Sequence, residues 1–304
     1  MARLFDSYVI VDWSAASKPT EGADSIWVGA LTPDARFRMR FDAINPSTRA
    51  RAKDILTDVL TRLTRRGDKV LLGFDFSLGY PEGTAEALQL KGESPAWKRM
   101  ADFVSREMKD KPDNTNNRFP LAARMNRMIS GEAFPFWGVT SKKDTVTTLG
   151  PKRARDHGAG DPAEYRHAET WAQTHHRARP QSVWKLAYTG SVGSQSLTGI
   201  PVVMSLREAF PESRIWPFET GWKAFDRDGL DSLQIVIAEV YPSLVPTSPD
   251  KGEIRDRAQV RAIAESFLAR DSKGELGRAF APPDGFPELA IPSIVNEEGW
   301  ILGV

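Results

Sequence analysis

The run Val70-Leu71-Leu72-Gly73-Phe74 contains no polar residue and is closed by Asp75. An uninterrupted apolar stretch of this length is buried on both faces, as in an interior strand of a parallel sheet covered by helices. Two more runs share its character. Ser7-Tyr8-Val9-Ile10-Val11-Asp12 also ends on an acid, and Leu233-Gln234-Ile235-Val236-Ile237-Ala238-Glu239-Val240-Tyr241 carries one within it. Burying a carboxylate is costly unless a partner compensates it, so any fold for this chain must supply a partner or a use for these acids.

Around these runs the patterning predicts an ordered series of elements. Strands are expected at 7–12, 25–31 and 36–41, the last from its polar and apolar alternation. A helix follows over 46–66, where Ile55, Leu56, Val59, Leu60 and Leu63 recur at helical spacing before the stop signal Gly67. After the strand at 69–75, helical pieces are expected at 95–109, 120–129, 162–175 and 196–210, separated by polar loops of which 150–161 is the most flexible in composition. A strand at 233–241 and a helix at 254–270 return to the core pattern. The order predicts an α/β protein with a mixed five-stranded sheet, an antiparallel meander continued by parallel strands and flanked by helices. Residues 1–80 and 214–304 form the two parts of its core, and 81–213 a long helical insertion.

Several function classes are excluded at this level. With no cysteine among its 304 residues the chain has no disulfide, thiolate metal site or cysteine nucleophile. The 41 basic and 40 acidic residues nearly cancel, so no global field draws it to nucleic acid or anionic lipid, and a polyanion must be held locally. Residues 1–12 lack the features of a signal peptide and no segment has the apolar length of a membrane span, so a cytoplasmic protein without a membrane partner is expected. The four histidines have no zinc-ligand spacing, and neither a phosphate-binding Gly-x-x-x-x-Gly-Lys loop nor a Gly-x-Ser-x-Gly elbow occurs.

The constellation that carries chemistry is acidic: Asp12, Asp75 and Glu239 on strands, and Asp256 at a helix start. Clustered carboxylates repel unless a cation lies among them. Hard oxygen donors of this kind suit Mg²⁺ or Mn²⁺, and such ions promote phosphodiester cleavage. The four acids are therefore the expected metal ligands and catalytic residues.

Val11-Asp12-Trp13-Ser14, Gly73-Phe74-Asp75-Phe76-Ser77-Leu78-Gly79, Glu239-Val240-Tyr241-Pro242, the helix opening Asp256-Arg257-Ala258-Gln259 and the closing Glu298-Gly299-Trp300-Ile301 resemble, in that order, motifs of a family. It is the predicted ribonuclease H-like nucleases, known as domain of unknown function 429. The resemblance implies a ribonuclease H-like fold with an acidic metal centre, in which Asp12, Asp75 and Glu239 are the acids of the first, fourth and fifth strands and Asp256 the helix acid. Nuclease action on DNA or RNA is the activity it implies.

A second cluster lies in the insertion. Asn117 and Arg118 stand at a predicted helix start, and Lys185 and Gln195 flank a glycine-containing loop. With Ser14 and Lys18 after the first strand, they are the candidate substrate contacts, since an anionic substrate needs cationic and amide positioning groups. Two other functions fit parts of the sequence. One is a binding protein for a small phosphorylated metabolite, closed over by the insertion. The other is an actin-like or sugar-kinase-type phosphotransferase using the turn after the first strand.

Overall fold

The computed structural model describes residues 3–304, so Met1 and Ala2 of the N-terminal reading lie outside it. The predicted apolar runs form β1 (Ser7–Asp12), β4 (Val70–Phe74) and β6 (Ile235–Glu239). β1 also pairs antiparallel with β2 (Trp27–Pro33), and β2 with β3 (Met39–Ile44). The sheet has six strands, not five, in the order β3-β2-β1-β4-β6-β5. The additional strand, β5 (Ser213–Ile215), is only three residues long and lies parallel to β6 at the edge. So short a strand has too few positions to display a period of two.

Alternation along the interior strands divides the core into two layers. Val9, Val11, Leu72, Phe74, Ile235 and Ile237 face one side, under α1 (Arg49–Arg65) and much of the insertion. Tyr8, Ile10, Leu71, Val236, Ala238 and Val240 face the other, under α7 (Arg255–Ser272) and the C-terminal segment. Both faces are therefore covered, which is why these runs need no polar alternation.

Between β4 and β5 the chain forms α2 (Thr84–Ala87), α3 (Ala96–Glu107), α4 (Arg118–Ile129), α5 (His167–His175) and α6 (Val192–Ala209). Helices α3, α4 and α6 bury Met100, Leu121 and Leu197 in the same apolar cluster as the sheet residues Val11 and Phe74. α6 begins four residues before its predicted start and takes Gly193 and Gln195 into its first turn, so the expected loop is partly helix. Gly199 brings α6 against the segment after β4, for a Cβ there would lie 2.2 Å from the Phe76 ring. Among the described residues no helix is long and apolar enough to cross a membrane.

Candidate functional site

Strand register builds the site. β1 and β4 are parallel neighbours with Val11 opposite Phe74, so Asp12 and Asp75 emerge side by side at the C-terminal ends of the two central strands. From here β1 leads to β2 on one side while the sheet beyond β4 continues to β6 on the other. A crevice at the carboxyl ends of strands, where the order reverses, is the usual ligand position of an open α/β sheet. A cavity of about 750 Å³ occupies it, reached by Asp12, Asp75, Glu239 and Asp256.

The four acids meet different environments. Asp12 and Asp75 are hydrogen-bonded to each other, and the Trp13 N–H donates to Asp75 Oδ1 at 2.8 Å. Burial raises the Asp12 carboxyl well above the usual range, and the nearby charges of Asp75 and Asp256 raise it further. Burial likewise pushes Asp75 up to about 7 against the lowering effect of the Trp13 N–H. Both carboxyls are thus raised, and a shared proton between them relieves their repulsion. Among the described residues no basic side chain hydrogen-bonds or ion-pairs with either one. Asp256, in the first turn of α7, is half-buried and accepts the Asp24 N–H at 2.7 Å. Desolvation raises its pKa. The neighbouring Arg257 does not pair with it but with Glu253.

Glu239 differs in kind. It pairs with Phe74, one register step before Asp75, so the pleat directs it to the opposite sheet face from Asp12 and Asp75. There the fully buried Arg166 donates to both of its carboxylate oxygens, at 2.6 and 2.8 Å, and also ion-pairs with Glu169. The same guanidinium donates to the Glu298 carbonyl, and Glu239 accepts the Leu78 N–H at 3.2 Å. Burial pushes Glu239 up to about 6 even against the attraction of Arg166. Of the four acids expected as metal ligands, Asp12 and Asp75 form a pair with no basic partner among the described residues, Asp256 is half-exposed, and Glu239 is ion-paired with Arg166.

The candidate substrate contacts also separate. Ser14 and Gln195 line the cavity, and Gln195 Nε2 donates to the Trp13 carbonyl at 2.5 Å. Lys18, Asn117, Arg118 and Lys185 do not line it. Asn117 closes the loop before α4 through the Lys109 N–H and the Glu107 carbonyl. Arg118 donates to Ser17 Oγ and Ser194 Oγ, while burial and the charge of Arg49 lower its pKa to about 10. Lys185 Nζ donates to Gln181 Oε1 and the Thr189 carbonyl, bracing a segment whose own side chains reach the cavity. The Lys18 carbonyl accepts from Asn114 Nδ2 at 3.1 Å. These four hold the walls rather than line them.

Compared with protein-family models, curated proteins and solved structures, the chain matches none.

Sequence reasoning passed over Asp24 and Tyr188, which line the cavity together with Arg179, the end of the basic stretch 175–179, and Arg255, the residue before Asp256. For Asp24 a signal existed. Asp12 pairs with Trp27 across an antiparallel ladder, so residues just before β2 must return to the same sheet end. Tyr188 lies outside the motifs, and nothing local in its sequence marks it.

Among the described residues no group of three or more histidine, aspartate and glutamate side chains is gathered closely enough to hold a metal ion by itself. Mg²⁺ seldom requires such a cage, since it is commonly held by one or two carboxylates, water and the substrate's own phosphate oxygens. The Asp12–Asp75 pair fits that mode. Two adjacent, half-buried carboxyls with no basic partner among the described residues need a proton or a cation between them, and their oxygens are the hard donors that such a cation prefers.

Proposed function

We propose that this cavity is the active site of a divalent-metal-dependent phosphodiesterase acting on nucleic acid, with Asp12 and Asp75 holding Mg²⁺ or Mn²⁺. The observation that carries this reading is the aspartate pair, half-buried at the ends of two central parallel strands and, among the described residues, without a basic partner. Support for a ribonuclease H-like fold comes from strand order, in which the meander β1-β2-β3 adjoins the parallel strands β4 and β6 and the short β5 adds only an edge. The chain is then a relative of the nucleases its motifs resemble.

A bound divalent ion would supply Lewis-acid stabilisation of charge developing on a phosphoryl oxygen. The protein's share is positional. Trp13 fixes one oxygen of Asp75 through its main-chain N–H, and Gln195 holds the Trp13 carbonyl in turn. Arg166 and Glu239 brace the Phe76–Leu78 turn that follows Asp75, through the Leu78 N–H. Asp256 adds negative potential beside the pair and favours a cation there.

The test is cleavage of end-labelled DNA and RNA by the full chain with Mg²⁺ or Mn²⁺ against chelator. Cleavage that needs the metal and falls on the order of 100-fold or more in Asp75→Asn is expected. Metal-independent cleavage, or an Asp75→Asn variant as active as the parent, would contradict the proposal.

A further inference from the structure

Around the acidic floor the cavity has a rim of a different chemistry. Tyr188 lines it with its side chain more than half exposed, although its backbone lies in the left-handed region at φ +71°. For an aromatic residue that conformation is strained, and such strain persists only where the surrounding structure enforces it. The enforcement is visible. Gly190, two residues on, is also left-handed, Lys185 Nζ holds the Thr189 carbonyl, and Tyr188 Oη donates to the Val139 carbonyl at 3.3 Å. A large flat side chain is thus held at a cavity mouth, at a backbone cost that core packing does not require.

Two arginines share this rim. Arg179 follows α5 and Arg255 opens α7, both are exposed, and among the described residues neither ion-pairs or donates a side-chain hydrogen bond. The cavity also continues. A second one of about 300 Å³ shares Pro242, Ser243, Arg255 and Gln259 with it, so the cleft extends past the first turn of α7.

From this arrangement we infer that the cleft receives an unpaired nucleic-acid strand, a base stacking on Tyr188 while Arg179 and Arg255 contact phosphates on its path. This rests on the phosphodiesterase reading and names its substrate class. In a duplex the bases stack inward and offer Tyr188 no face, whereas an unpaired strand presents one at every residue. Local arginines beside stacking aromatics also suit a chain whose net charge of +1 gives it no broad basic surface. The acids of the floor would then meet the phosphate between the two arginine contacts.

Binding tests this separately from cleavage. A labelled unpaired oligonucleotide of about 12 residues, as DNA and as RNA, and the same strand in a blunt duplex are titrated with the full chain in Ca²⁺ buffer and followed by anisotropy. The unpaired strand is expected to bind more tightly than the duplex. Tyr188→Ala should weaken it roughly 5- to 150-fold, Tyr188→Trp should restore it, and Arg179→Gln should reduce the salt dependence. Equal or tighter duplex binding overturns the inference, as does a Tyr188→Ala variant that binds like the parent. Either result leaves the phosphodiesterase reading intact if Mn²⁺-dependent cleavage is seen. Tight, Tyr188-dependent binding with no cleavage in Mn²⁺ would instead uphold the strand-binding cleft and remove the phosphodiesterase reading.

Discussion

The main-chain N–H of Trp13 donates to Asp75 Oδ1 at 2.8 Å, so the residue after one strand-terminal acid fixes the carboxylate of the other. Sheet register makes this contact possible, because Val11 and Phe74 are opposite each other in parallel strands and the two acids follow them. A pair of carboxyls is thereby held together in a half-buried crevice, where their repulsion is relieved by a shared proton or by a cation.

The first consequence concerns stability without metal. Burial pushes Asp75 up to about 7 in the fold, against an ordinary value of 3.8, and Asp12 is raised as well. The folded state therefore binds more protons than the unfolded chain between those limits, and stability declines as pH rises through about 7. Asp75→Asn removes the repulsion and keeps an acceptor for the Trp13 N–H. In chelator at pH 8 it should be more stable than the parent by on the order of 1–2 kcal/mol, with a flatter pH dependence. Urea denaturation at pH 5 and pH 8 checks this, and a variant less stable than the parent at pH 8 would count against it.

Arg166 lies fully buried between Glu169 and Glu239. Arg166→Met would leave two buried carboxylates facing each other, at a cost of about 3–5 kcal/mol. The triple variant Arg166→Met, Glu169→Gln, Glu239→Gln should recover much of that loss, because no uncompensated charge remains. Chemical denaturation of both proteins measures the difference. If the single change were harmless, the guanidinium would not be carrying the charge balance described.

The pair His167–Glu298, 2.8 Å apart, predicts a pH window. The Glu298 hydrogen bond raises the His167 pKa, so its contribution is complete below the ordinary histidine value and fades as pH rises through the raised one. For Glu298, burial acts upward but the His167 ring and the N–H groups of His167 and Glu82 outweigh it. That carboxyl is lowered, and its contribution is lost as pH falls through the lowered value. Stability conferred by the pair should thus peak in mildly acidic solution, between the two titrations. Comparing His167→Gln with the parent in thermal melts from pH 3 to pH 9 tests it. A difference that grows steadily toward alkaline pH would contradict the pairing.

At Gly199 a methyl group would meet the Phe76 ring, and Phe76 follows Asp75 directly. Gly199→Ala should cost about 1–3 kcal/mol through overpacking, despite the higher helix propensity of alanine. It should also lower metal-dependent cleavage, because the displaced ring moves the turn that carries Asp75. A variant unchanged in both stability and cleavage would show that the contact relaxes freely.

Much of the sheet was legible because its interior strands are continuous apolar runs, and those runs need tertiary cover on both faces. The hairpin from β2 to β3 was less so. Alternation from Arg36 predicts a strand over 36–41, yet Asp34 accepts the N–H groups of Arg36 and Arg38 and places Phe37 in a left-handed turn, so β3 begins at Met39. Within the site, Asp12 and Asp75 were readable from their strand ends. The divergence of Glu239 was not, since it depends on which residue of β6 lies opposite Phe74, and pairing register is absent from a single strand's sequence. Its partner Arg166 is a further 73 residues away in sequence and belongs to no motif. Tyr188 is marked by its backbone conformation alone, which sequence does not display.

Anomalous diffraction from a crystal of the full chain soaked in Mn²⁺ shows where the ion sits. A peak is expected at the Asp12 and Asp75 carboxylates, displaced from the Arg166-bound Glu239, and it should disappear in Asp75→Asn. An aspartate pair that stays hydrogen-bonded and free of Mn²⁺ at saturating concentration, or Mn²⁺ bound only elsewhere, would contradict metal binding by the pair.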